Sequence, residues 1–181
     1  LTEAEKDAAI AAASASACGE APGCVTIQRG GSGNVWEADL ASSNGNWAAG
    51  SYPWTWTGLS SSIHRTVMKF DMSPVPAGAY VTSATAYVYD SWTNNYNPVR
   101  AHQVLSPWSE ATVSWTNFGA DANFAAAVVA QFMGGGVGYK TFYLTGLASG
   151  WVSGDVPNNG ILLEEDLTGA PKLHTDAGSE V

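Results

Sequence analysis

Charge and sulfur are scarce in this chain of 181 residues. Charged side chains make up 13%, about half the share of about 25% usual in soluble domains. Only 7 are basic against 16 acidic, a formal net charge of −9. That shortage argues against charge-driven binding of nucleic acid or of an anionic membrane. No apolar run approaches the roughly 20 residues of a membrane span. There is no EF-hand loop, no G-x-S-x-G nucleophile elbow, and no phosphate loop at Gly134-Gly135-Gly136. The opening LTEAEKD is acidic and does not read as a signal peptide, so any such peptide is expected to be gone already. What remains is 45% hydrophobic, enough for one domain with a sizeable core.

The two cysteines, Cys18 and Cys24, lie in CGEAPGC. Gly and Pro between them favour a turn, so a disulfide is expected; two unlinked buried thiols are the other reading. A metal site would want four ligands, and no second Cys or His pair lies nearby. Closing so short a loop stabilises by on the order of 2 kcal/mol and implies an oxidising compartment.

The first segment, TEAEKDAAIAAASASA, is Ala-rich and lacks Gly and Pro. Thr2 and Glu5 fit a capping box, and a helix is expected over 3–17. Its one large apolar side chain is Ile10, so it must dock to persist. The chain therefore divides into a 1–24 extension with a disulfide clip and a 25–181 β domain. From Cys24 onward short β-type runs follow one another: VTIQ, VWEADL, SYPWTWTG, SIHRTVMKFDM, AYVTSATAYVYDSW, NPVRAHQVLS, ATVSWTNF, AAAVVAQF, KTFYLTG, NGILLEED and PKLHT. Turn signals separate them at Asn44-Gly45, 74–78, 94–98, 134–138 and 158–160. About ten short strands at such spacing predict an all-β fold, an antiparallel jelly-roll-like sandwich with a short helical N-terminal extension. Alternation agrees. Met68 and Phe70 share one face against Arg65, Val67 and Lys69, and Ala84, Ala86 and Val88 oppose Thr85, Tyr87 and Tyr89. A helical turn, LASGWVSG, is expected after Tyr143.

Three stretches, FDMSPVPAGAYVTSATAYVY, PWSEATVSWTN and YLTGLASGWVSGDVPNNGILLEED, resemble the DNRLRE domain-containing proteins. That group overlaps carbohydrate-binding module family 96. The likeness runs from about Val25 to the C-terminus. It implies an extracellular, usually non-catalytic β-sandwich. Phe70, Asp71, Trp108, Glu110, Trp115 and Trp151 carry the motif and are expected to be structural, the Trp rings in the core and Glu110 holding a loop. The family's closing strand has no counterpart after PKLHTDAGSEV, which suggests an open sheet edge. The chain's own N-terminal region, a neighbouring subunit or a longer native protein would each fill it.

Other residues invite functional readings. Trp54 and Trp56 are two apart in a predicted strand, and Trp92 and Tyr96 flank an amide-rich loop. Such rings stack on sugars, although core packing is the commoner use. Glu37 and Asp39 are calcium candidates in a polar stretch, with solvated side chains the blander reading. Glu164, Glu165 and Asp166 are expected to face solvent. His64, His102 and His174 show no ligand spacing, and no paired carboxylate is flagged for glycoside hydrolysis. No cofactor and no catalytic residue is expected. The reading is a secreted, non-enzymatic structural or adhesive subunit at the cell surface or in a matrix. It would self-associate through an open edge or its N-terminal extension, as in a fibre. A carbohydrate-binding module of a polysaccharide-active protein is the rival.

Overall fold

The computed structural model describes residues 23–29, 34–43, 55–56, 58–59, 62–90, 97–119, 122–165 and 178–180. The helix expected over 3–17 lies outside these residues, as do Cys18, Trp54, Trp92, Tyr96, Asp166, His174 and the PKLHT run. The strands are β1 (Val35–Ala41), β2 (Thr55–Trp56), β3 (Gly58–Leu59), β4 (Ile63–Phe70), β5 (Thr85–Asp90), β6 (Pro98–Val104), β7 (Phe124–Met133), β8 (Gly138–Tyr143), β9 (Ile161–Glu165) and β10 (Gly178–Glu180). Among the described residues two helices interrupt them, α1 (Trp115–Phe118) and α2 (Thr145–Ser153).

The fold is all-β, built on two antiparallel sheets. One runs β1-β4-β9-β6-β7, with β3 also on β4; the other runs β2-β10-β5-β8. Between them, Val35, Met68, Val99, Ala101, Ile161 and Leu163 of the larger sheet meet Ala86, Val88 and Phe142 of the smaller. Leu144, the N-cap of α2, joins this core with Ala148 and Trp151 of the helix, and the Trp151 ring lies 6.1 Å from Phe70.

The larger sheet has a second buried face. Ala38, Leu40, Val67, Val104 and Leu162 point away from the smaller sheet and are covered by Val113 and Phe118, with Trp108, Trp115 and Phe124 packed around them. This explains why Ile161, Leu162 and Leu163 are all fully buried in one strand. A strand covered on both faces reads as an unbroken apolar run rather than an alternation.

Several sequence expectations give way. VTIQ forms no strand; residues 25–28 run as irregular backbone. ATVSWTNF is not a strand either. Ser114 and Asn117 build a capping box, and Gly119 closes α1 in the left-handed region at φ 71°. That local hydrogen bonding competes with the β ladder and wins. Glu165 is buried, not solvated. It sits on the inner face of β9, in register with Val99 of β6. The smaller sheet also receives a strand late in the chain: β10 pairs with both β2 and β5. Among the described residues β1 and β7 end the larger sheet and β2 and β8 the smaller, each with one side that pairs with no strand.

Candidate functional site

The two edges of the larger sheet are built differently. At β1, the Glu110 carboxylate reaches in from the loop after β6. Its Oε1 accepts the Glu37 backbone N–H at 3.1 Å and pairs with Arg29 Nη2 at 3.0 Å. Arg29 Nη1 in turn holds Glu37 Oε1 at 3.0 Å. Glu37 is 3% exposed, so this pairing neutralises a buried charge. Charged groups thus occupy a backbone donor that another strand would need.

At β7 no such guard is found among the described residues. The strand FAAAVVAQFM contains no charged side chain, and Val128, Val129 and Met133 are 45%, 37% and 54% exposed. It hangs on β6 through a register that slips around His102, whose Nδ1–H donates to Ala125 O at 2.9 Å.

The covered face of the larger sheet joins aromatic rings to cations. The Arg65 guanidinium lies 5.3 Å from the Trp115 centroid and 5.2 Å from Phe124, and its Nε donates to Glu164 at 3.0 Å. Lys69 sits 4.7 Å from Trp36 and 5.7 Å from Trp108. The Trp108 indole N–H donates to Asn159 O at 2.9 Å, fixing its loop over the turn into β9. Gly160 in that turn has φ +83°, and a Cβ there would fall 1.9 Å from Met68 O, so only glycine fits. Phe70 and Trp151 belong to the inter-sheet core. Asp71 Oδ1 accepts the Ser73 N–H at 3.0 Å, which lowers its pKa and opens the loop after β4.

Of the proposed sugar-stacking residues, Trp54, Trp92 and Tyr96 lie outside the described residues, and only the backbone of Trp56 is described, in β2. A different aromatic face is present. Thr85, Tyr87 and Tyr89 point outward from β5, in register with Tyr143, Thr141 and Tyr139 of β8. Tyr89 and Tyr139 pack edge to face at 5.1 Å, while Tyr87 and Tyr143 are 37% and 68% exposed.

The calcium candidates are engaged elsewhere, Glu37 by Arg29 and Asp39 by His64. Among the described residues no group of three or more His, Cys, Asp or Glu side chains could hold a metal. Sequence spacing hid one further cluster. His64 bridges Asp39 and Ser62 on the inner face, with Nδ1 3.1 Å from Asp39 Oδ2 and Nε2 2.8 Å from Ser62 Oγ. Burial raises the Asp39 pKa, and the His64 contact pulls more weakly the other way. Nothing in the sequence brings residue 39 beside 64; strand pairing does.

Comparison with family models, curated proteins and solved structures found no match. Among the described residues no helix is long and apolar enough to cross a membrane.

Proposed function

We propose that the chain is a non-enzymatic structural or adhesive subunit of a cell-surface or matrix assembly, self-associating through the open edge of β7. The observation that carries this is the contrast between the guarded β1 edge and the bare one. A strand edge is a row of unpaired N–H and C=O groups that templates another strand. Copies with a net charge of −9 repel one another. The ten-residue uncharged strand is where two can meet without bringing acids together. The partner is a second copy of this chain. The resemblance to DNRLRE domain-containing proteins supports an extracellular setting. The Cys18–Cys24 clip expected from CGEAPGC would fit the same setting.

Sedimentation and electron microscopy of the purified full chain test this. Oligomers or fibres are expected, and Val128→Lys with Gln131→Lys should return them to monomers, because lysines on an edge block strand addition. A wild-type protein that stays monomeric at high concentration refutes it.

A carbohydrate-binding module is the second reading, favoured by the Tyr87 and Tyr143 face. Its rings offer flat apolar surfaces, and Thr85 and Thr141 add hydroxyls without charge. Retardation in polysaccharide gels that Tyr87→Ala with Tyr143→Ala abolishes would support this reading over the first.

A further inference from the structure

The contacts of Ser62, His64 and Asp39 have the order of an activated serine. An ionised Asp39 can only accept, so His64 Nδ1 carries the proton in their contact. In the neutral ring Nε2 then accepts from the Ser62 hydroxyl 2.8 Å away. Carboxylate, imidazole and hydroxyl thus stand in the sequence that moves a proton off a nucleophile.

The strand geometry produces this alignment. Ser62 and His64 are two residues apart on β4 and just before it, so they project to one side. Ala41 is opposite His64 and Asp39 opposite Thr66, which puts Asp39 on the diagonal from His64 and on the same face. The arrangement is set by backbone pairing, so its groups are held before any reaction begins.

Two features define what such a serine can do. Ser62 is 6% exposed, so only a small electrophile reaches it. The Ile63 N–H, adjacent to the nucleophile, donates to Ser42 Oγ at 2.9 Å. It is therefore not free to stabilise an oxyanion, and repeated turnover of unactivated substrates lacks that support. Transfer from a donor with a good leaving group needs less.

We propose that Ser62 is a site of covalent acylation by small activated esters or thioesters, with His64 as general base and Asp39 as the positioning residue. Ser62 Oγ attacks the carbonyl carbon and its proton passes to His64 Nε2. The bond to the leaving oxygen or sulfur breaks, and Nε2 returns the proton to the departing alkoxide or thiolate. The products are a Ser62 ester and one alcohol or thiol. Hydrolysis of this ester would need the same oxyanion support that the engaged Ile63 N–H does not give, so the adduct persists. This modification is independent of self-association.

Incubating the folded full chain with p-nitrophenyl acetate and mapping adducts by peptide mass spectrometry tests it. One acetyl group on Ser62 is expected. His64→Gln should slow its appearance about 100-fold, the scale of lost general-base help. Asp39→Asn should slow it too, while acetylation of exposed lysines in the same sample stays unchanged. Wild-type protein acetylated on lysines but not on Ser62 overturns the proposal, whatever the variants do. So does a Ser62 adduct whose rate is the same in His64→Gln.

Discussion

Replacing Glu110 by Ala tests the structural role of this side chain. In the folded protein Glu110 Oε1 accepts the Glu37 N–H at 3.1 Å and pairs with Arg29 at 3.0 Å. A hydrogen bond to a charged acceptor contributes about 1.5–3 kcal/mol. The ion pair adds at most about 1 kcal/mol, because the side chains of Arg29 and Glu110 are 36% and 22% exposed. Water reaches part of the vacated site and offsets some of this loss. The expected destabilisation is therefore about 2 kcal/mol. For a domain of 181 residues that corresponds to a fall in melting temperature of roughly 4–8 °C. Glu110→Gln keeps an acceptor for the Glu37 N–H and should lose about half as much. Thermal melts followed by circular dichroism, with urea unfolding for the free energy, give the numbers. A Glu110→Ala protein melting within about 1 °C of wild type would show that the carboxylate does not hold this edge.

Gly160→Ala should be far more damaging. The added Cβ meets Met68 O at 1.9 Å and Lys69 Cα at 2.8 Å at a positive φ, and both neighbours are backbone of the central strand β4. A loss of about 4 kcal/mol or more is expected in urea unfolding. A variant near wild-type stability would refute the turn geometry. Asp39→Asn tests a pH effect. Burial, the larger cause, raises the Asp39 pKa above the ordinary carboxylate value, so the native state holds this proton to higher pH than the unfolded chain does. The group's contribution to stability is then fully present below the unfolded value. It falls as pH rises through the elevated native value and is level above it. The variant should lack this slope, gaining on wild type as pH climbs through the window. Parallel pH–stability curves from urea titrations would contradict this.

Strand composition and alternation were legible without coordinates. Met68 and Phe70 facing away from Val67, and Ala86 and Val88 facing away from Tyr87, follow from a period of two. The helix over Thr145–Ser153 was readable as a break in that period. The Ser114 and Gly119 signals for α1 were also present, but a β-branched run around Val113 masked them. Glu165 misled because a charge at a strand end usually meets water, and only the register with Val99 shows it turned inward.

By itself the sequence determined that this is an acidic, mostly β chain with little charge to bind anionic partners, because composition and local periodicity are properties of neighbouring residues. Which edge is guarded, which face carries exposed tyrosines, and that Asp39 lies beside His64 were decided by the tertiary structure. Each depends on strands that pair across 20 residues or more of chain, and no local propensity encodes the register between them.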